Sequence, residues 1–364
     1  MLSFFIFLCY KAIHGFAGKR QGKTTLLPVD CDKRLLYIYT MKHISILILK
    51  EATLTSIDST LQLFTRINDF LKYQGRPPYY TIELIGATKS TALNNGSFYI
   101  RADKTLEEVT KTNLVILPMI CGDFVKAINS NKDFYGWIEN QYAAGAEIAS
   151  LCTGSFVLAS TGILNTKKCA VHWAAANDFT IMFPGVTVAG DKIMTDENGI
   201  YTSGGGYSYL NLLLYLVEKH LGREFSVLAS KMFEIDIERS SQNSFAIFMG
   251  QKQHGDSDVL TAQEFIENNY TEKFTVDELS TKCGVGRRTF ERKFKKLTGN
   301  SFMQYAQRVK VEAAKKQLET GKKTINEIIY EIGYNDINAF REVFKKYTGF
   351  TPIEYRNKYK ARQA

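Results

Sequence analysis

The phrase FKKLTGNSFMQY at residues 294–305 returns fifty residues later as FKKYTGFTPIEY at residues 344–355, so one motif is written twice near the C-terminus. In both copies the phrase is preceded by T-x-x-E, a capping box that begins a helix, at Thr275 and Thr324. Nine residues after each Thr stands a glycine, which suits the left-handed turn that ends a helix. Each copy is therefore predicted to be a helix, a short turn and a second helix, as in a helix-turn-helix unit.

The second helix of each unit has an aromatic face and a charged face. Phe290 and Phe294 recur at helical spacing, as do Phe340 and Phe344, so these faces are predicted to be core. Arg and Asn can read guanine and adenine edges, and Lys holds phosphates. A solvated charge is the plainer interpretation of any single residue, but two matched units favour DNA binding. The predicted DNA contacts on the opposite faces are Arg287, Arg288, Glu291, Arg292, Lys295, Asn338, Arg341 and Lys345.

The positive charge of the chain is concentrated in the same region. Residues 282–364 hold 20 Lys and Arg against 8 Asp and Glu, a net charge of +12. The remaining 281 residues hold 26 against 29, a net charge of −3. This distribution is typical of a nucleic-acid-binding module joined to a near-neutral domain, so double-stranded DNA is the predicted partner.

Upstream of the repeat, apolar runs alternate with amphipathic stretches. HISILIL at residues 43–49 is predicted to be a buried strand, and further strands and helices alternate after it. Such alternation predicts an α/β domain with a parallel sheet covered by helices on both faces. QKQHGDSD at residues 251–258 is polar and aperiodic and is predicted to be a linker. The predicted organisation is an α/β domain at 41–250, this linker, and an all-α domain at 259–364.

The first 40 residues are interpreted as a leader without a role in the fold. LSFFIFLCY at residues 2–10 is too short to span a bilayer, and no Lys or Arg precedes it as in a signal peptide. MKHISILIL begins at Met41 and runs directly into the first predicted strand. The six cysteines are scattered without a C-x-x-C pair, which argues against a zinc site and favours a reducing cytosol. We therefore expect a cytoplasmic protein with no membrane, metal or cofactor.

One cysteine stands out by its setting. AEIASLCTGSFVLAS places Cys152 between an apolar strand and a helix, among small residues. A tight strand-to-helix turn needs small neighbours and points its central side chain outward above the helix N-terminus. The helix dipole there lowers a thiol pKa, so we expect thiolate character at Cys152. A buried structural cysteine is an equally good interpretation of the local sequence.

The C-terminal region, residues 258–360, resembles the DNA-binding domain of AraC/XylS-type regulators. The resemblance is carried by the ending INEIIYEIGYNDINAFREVFKKYTGFTPIEYR. It implies two helix-turn-helix units on one long helix, entering successive major grooves roughly 34 Å apart, with RNA polymerase as a further partner. Two departures matter. Gly286 stands where Ser would cap better, and Glu291 and Glu342 either specify bases or face away from DNA.

Residues 42 to about 245 resemble the PfpI-like, class I glutamine amidotransferase-like domain. Beside the cysteine stretch, AVHW at residues 170–173 and YTSGGG at residues 201–206 carry the resemblance. It implies a flavodoxin-like fold, and the fused order is similar to GlxA-type transcription regulators. That similarity implies a homodimer that senses an unidentified small-molecule effector. The implied ligand pocket consists of Cys152, Thr153, Gly154, His172, Ser203 and Gly204.

The family resemblance also raises the question of catalysis. Hydrolases of the family commonly place His directly after the nucleophile, whereas Thr153 follows Cys152 here. A catalytic set would have to be Cys152, His172 and Asp58. The backbone-amide site after VILP usually carries a Gly pair, but this chain has Met119 followed by Ile, which weakens an oxyanion hole. We expect a sensor without catalysis; a cysteine-dependent amidase or related hydrolase with a DNA-binding appendage, and a purely structural dimerisation scaffold, are the alternatives.

Overall fold

A computed structural model of the chain describes residues 41–252 and 254–360. The leader predicted at residues 1–40 lies outside the described residues. The strands of the N-terminal domain are β1 (Lys42–Leu47), β2 (Tyr80–Gly86), β3 (Ser90–Leu93), β4 (Phe98–Arg101), β5 (Lys104–Thr105), β6 (Leu114–Leu117), β7 (Glu147–Ser150), β8 (Lys168–Cys169), β9 (Thr187–Val188), β10 (Met194–Asp196) and β11 (Ile200–Ser203).

Seven of these strands form one sheet in the order β10-β11-β7-β6-β1-β2-β5. Neighbours are parallel throughout except for β10 and β11, which form an antiparallel hairpin. The interior strand β1 is buried along most of its length, with Ile44, Ile46 and Leu47 fully inaccessible. A continuous apolar run such as HISILIL requires cover on both faces, so the predicted parallel sheet is confirmed.

Two helical layers supply that cover. The helices of this domain are α1 (Leu54–Tyr73), α2 (Phe124–Ser130), α3 (Tyr135–Ala143), α4 (Ser155–Ser160), α5 (Ala176–Met182), α6 (Ser208–Leu221) and α7 (Arg223–Phe233). α1 packs on β1 and β2 and contacts α6 and α7, and α6 lies on β10 and β11. On the other face, α2 packs against α4, which lies on β6. The α/β architecture with a flavodoxin-like sheet therefore agrees with the sequence-based prediction.

The C-terminal domain is helical throughout. Its helices are α8 (Ser257–Asn268), α9 (Val276–Lys282), α10 (Arg287–Thr298), α11 (Phe302–Thr320), α12 (Ile325–Glu331), α13 (Ile337–Thr348) and α14 (Pro352–Tyr359). The predicted capping boxes at Thr275 and Thr324 form, and two more form at Ser301 and Thr351. One boundary needs correction: α8 begins at Ser257, because Asp256 caps it by accepting from the Val259 N–H. The last two residues of the predicted linker are thus helical.

The C-terminal domain has two separate hydrophobic cores strung along α11. The first joins α8, α9 and α10 to the start of α11 and includes Phe290, Phe294 and Tyr305. The second joins the rest of α11 to α12, α13 and α14 and includes Phe340 and Phe344. Each helix-turn-helix unit therefore has its own core. No helix within residues 41–252 and 254–360 is both long and apolar enough to cross a membrane.

Candidate functional site

The second helices of the two units, α10 and α13, are built alike. Each has 12 residues and ends at a glycine in the left-handed conformation, Gly299 and Gly349. They differ at their start, since Asp336 caps α13 by accepting from two backbone N–H groups, whereas Gly286 offers α10 no side-chain cap. The four phenylalanines Phe290, Phe294, Phe340 and Phe344 are fully buried, as predicted.

All eight predicted DNA contacts lie on exposed positions of these two helices. Within the described residues, the side chains of Arg288, Arg292 and Lys295 form no hydrogen bond or ion pair, which leaves three cations on one face of α10. Arg287 differs, because its Nη1 donates to Asp277 Oδ2 at 2.8 Å and its Nε lies 3.6 Å from Glu291 Oε1.

Lys293, on the same helix, points elsewhere and pairs with Asp256, the N-terminal cap of α8, and with Asp258 of α8, both at 2.8 Å. The structure thus separates the lysine that anchors α10 from the cations that face outward.

The two recognition helices present different side chains at equivalent positions. Because Phe290 matches Phe340, Arg288 matches Asn338 and Glu291 matches Arg341. In the next pair the charge is also reversed, with a cation on α10 and a carboxylate on α13. The two units therefore have the same buried positions but different exposed side chains.

The Cys152 turn connects β7 to α4 through a single 3₁₀ turn. The backbone of Cys152 lies in the left-handed region with φ of 52°, a strain of order 1–3 kcal/mol for a residue other than glycine. Its N–H donates to Ser203 Oγ at 2.8 Å, and Thr153 Oγ1 donates to the Ile120 carbonyl at 2.5 Å. A Cβ on Gly154 would stand 2.5 Å from the Pro118 carbonyl oxygen. Small residues are therefore required here because β6 and its loop approach closely.

The expected thiolate at Cys152 is wrong in this structure. The side chain is fully buried, and burial raises the pKa of the Cys152 thiol, although hydrogen bonds from Thr153 and Gly206 act in the opposite direction. α4 has only six residues and offers a weak dipole. The thiol is therefore protonated at neutral pH. This agrees with the alternative interpretation of Cys152 as a buried structural cysteine.

The six predicted pocket residues gather around the end of β11 but form a closed wall. Cys152, Thr153, Gly154, Ser203 and Gly204 are buried, and His172 is half-buried. The His172 ring packs directly on Gly205, where an added Cβ would lie 2.4 Å from His172 Cδ2. An open cleft of about 720 Å³ begins at the neighbouring Trp173 and runs between the two domains. Cys152 does not line this cleft.

The residues of the enzyme alternative do not form a hydrogen-bonded set in the described part of the chain. His172 Nδ1 accepts from the Ala174 N–H at 3.0 Å, and burial lowers the pKa of His172. Asp58 is exposed on α1. The Met119 N–H, at the place of an oxyanion donor, donates to Ser56 Oγ at 3.1 Å. Ser56 is a site residue that the sequence interpretation missed, and no local motif points to it.

Two family models match the chain on either side of the linker. The DJ-1/PfpI family matches residues 47–219, and a helix-turn-helix domain matches residues 279–358. The HTH-type transcriptional regulator GbdR of Pseudomonas aeruginosa is 26% identical over 321 residues, covering 86% of this chain and 84% of GbdR. ArgR, an HTH-type transcriptional regulator of the same species, is 30% identical over 215 residues, covering 59% of this chain and 65% of ArgR.

The HTH-type transcriptional regulator GlxA of Rhizobium meliloti is 24% identical over 218 residues, covering 59% of this chain and 66% of GlxA. The two domains and these relatives define the chain as a DNA-binding transcription regulator. Within that class, a DJ-1/PfpI domain that precedes an AraC-type helix-turn-helix domain makes the chain similar to the GlxA-type regulators.

Proposed function

We propose that the chain regulates transcription by placing α10 and α13 in two successive major grooves on one face of double-stranded DNA. The observation that carries this proposal is the pair of 12-residue helices with matched buried phenylalanines and exposed polar faces. Their cations neutralise phosphates, while Arg288 and Asn338 reach base edges. RNA polymerase is the proposed protein partner, and the cytoplasm is the proposed compartment.

The two half-sites of the operator are proposed to differ in sequence. Equivalent positions carry Arg288 in one unit and Asn338 in the other, which favours guanine in one half-site and adenine in the other. The ion pair between Arg287 and Glu291 keeps that carboxylate close to a cation of its own helix. This pairing reduces the repulsion of phosphate by Glu291 and leaves base reading to its neighbours.

The N-terminal domain is proposed to sense a small-molecule effector in the region of Cys152 and His172 or to mediate homodimerisation. Support comes from a strained, tightly packed turn at the carboxyl end of the sheet, where open α/β folds bind ligands. The region is closed in this structure, so binding requires the loops around His172 and Gly204 to move.

DNA recognition is tested by three alanine substitutions on the recognition helices. Arg288→Ala and Asn338→Ala should each cost about 1–3 kcal/mol and relax the base preference in one half-site, because each removes a base contact. Lys295→Ala should weaken binding to all sequences similarly, because it removes a phosphate contact. The measurement is fluorescence anisotropy with duplexes that the purified protein selects from a random pool.

Lys231→Ala is the matched control for these variants. It removes one positive charge from an exposed position of α7, in the other domain, and should leave DNA affinity nearly unchanged. Equal losses on selected and random duplexes for Arg288→Ala, Asn338→Ala and Lys295→Ala would contradict the base-reading assignment.

A cysteine-dependent hydrolase is the second candidate, and the strained backbone of Cys152 is the observation that favours it. We expect no such activity, because the thiol is buried and protonated. Iodoacetamide should modify the exposed Cys121 at least about tenfold faster than Cys152 in the native protein, as followed by peptide mass spectrometry. Turnover of small amides, esters or peptides that disappears in Cys152→Ser would establish the enzyme instead.

A further inference from the structure

Gln242 joins three backbone segments that wall the region of Cys152 and His172. Its side chain is 1% exposed. Its Nε2, which carries two hydrogens, lies 2.9, 3.0 and 3.2 Å from the carbonyl oxygens of Val171, Gly190 and Lys192, so two of these acceptors share one N–H. Its Oε1 accepts from the Gly205 N–H at 3.0 Å and the Trp173 N–H at 3.3 Å. A buried amide with this many partners fixes the segments against one another, since each broken bond leaves a buried polar group unpaired.

The residues that follow Gln242 hold the C-terminal domain. The hydroxyl of Tyr359 donates to the Ser244 carbonyl at 3.2 Å, and Lys315 Nζ donates to the Ala246 carbonyl at 2.8 Å. The Phe248 N–H donates to a carboxylate of α11 at 3.2 Å, and its ring packs on Tyr305 in the first core. The segment 242–248 is therefore anchored in the N-terminal domain at one end and in the DNA-binding domain at the other.

Sterics connect this segment to the proposed ligand region. A Cβ on Gly204 would lie 3.0 Å from the Gln242 amide, and a Cβ on Gly205 would lie 2.4 Å from His172 Cδ2. Any group that enters beside His172 must therefore shift that ring, the glycine run, or both. Because the Gly205 N–H is itself a partner of Gln242, such a shift breaks the amide contacts.

We propose that Gln242 is the positioning residue through which an effector bound beside Cys152 and His172 controls the DNA-binding domain. This inference rests on the proposed sensor function. When the pocket is empty, Gln242 clamps segment 242–248, and the DNA-binding domain keeps a fixed orientation. When a ligand displaces His172 or the glycine run, the clamp opens and the segment is released. The coupling runs through a packed element that both sites contact.

The test is hydrogen exchange of the full chain, read at peptides covering residues 242–248. Gly205→Ala serves as the probe, because its methyl group occupies the place that a ligand beside His172 would take. It should accelerate exchange in 242–248 by roughly tenfold or more, as should Gln242→Asn, whose amide is one methylene too short to reach its partners. Gly136→Ala on α3 is the matched control, since its Cβ would meet nothing within 4 Å and Gly136 is not a partner of Gln242, so it should leave 242–248 unchanged.

Two results would overturn the inference. In the first, Gly205→Ala speeds hydrogen exchange in peptides around residues 172 and 205 but leaves the exchange rate of residues 242–248 at the wild-type value. In the second, Gln242→Asn also leaves the exchange rate of residues 242–248 at the wild-type value. Gln242→Asn introduces no clash, so it tests the clamp even if Gly205→Ala does not fold. DNA binding by the wild-type chain is measured in parallel. Absence of DNA binding would contradict the proposed regulator function. The exchange rates would still show, independently, whether Gln242 holds segment 242–248.

Discussion

Replacing Gly333 with Ala should unfold the second helix-turn-helix unit, whereas the same change at Gly284 should be tolerated. The two glycines end the first helix of each unit, and both have left-handed backbones, with φ of 78° and 67°. Alanine costs about 1–2 kcal/mol of backbone strain at either position. At Gly333, however, the new Cβ would lie 2.0 Å from the Thr271 carbonyl oxygen, whereas at Gly284 it would meet nothing within 4 Å.

The clash should raise the total cost of Gly333→Ala to about 2–5 kcal/mol, because overpacking against backbone adds to the strain. Thr271 lies between α8 and α9, so this contact also joins the two units and sets the spacing of the recognition helices. Chemical denaturation gives the free energy of unfolding of each variant, and anisotropy with a selected duplex gives its DNA affinity. Equal losses of unfolding free energy for Gly333→Ala and Gly284→Ala would contradict this prediction. They would show that the Thr271 loop moves aside without a free-energy cost.

The helical domain was predictable because its determinants are local. A capping box uses residues three apart, as with Thr275 and Glu278, and both members are visible in the sequence. The same holds for the exposed faces of α10 and α13, since helical period alone places Arg288 opposite Phe290 and Phe294. The hairpin of β3 and β4 also had a local signal that was missed. Asn94, Asn95 and Gly96 form its turn with positive φ, as an N-N-G run suggests.

The Cys152 region was predictable in outline but not in chemistry. The small neighbouring residues predicted the tight turn. The protonation of the thiol, however, depends on burial by segments that are distant in the sequence. Ser203 is 51 residues from Cys152, and Ile120 is 33 residues from its partner Thr153. Ser56, whose hydroxyl accepts a hydrogen bond from the Met119 N–H, is 63 residues from Met119 in the sequence. No spacing rule connects such residues, so the closed wall could be found only from the folded structure.

Phe344→Ala and Phe294→Ala should each damage one half of the DNA-binding domain and spare the other. The two residues are equivalent in the repeat and fully buried, but they belong to separate cores. Truncating a buried Phe costs about 3–5 kcal/mol, because apolar burial is lost and a cavity remains. Since no buried residue is shared between the cores, the loss should appear as local opening of one unit.

DNA binding should report which unit has opened. Phe344→Ala should lower affinity and abolish base preference in the half-site of Asn338 and Arg341, while the half-site of Arg288 keeps its preference. Phe294→Ala should give the mirror result. Hydrogen exchange locates the opening, in α12–α14 for the first variant and in α9 and α10 for the second. Loss of preference in both half-sites by both variants would show instead that α11 and the Thr271 contact bind the units into one cooperative domain, in which neither recognition helix persists without the other.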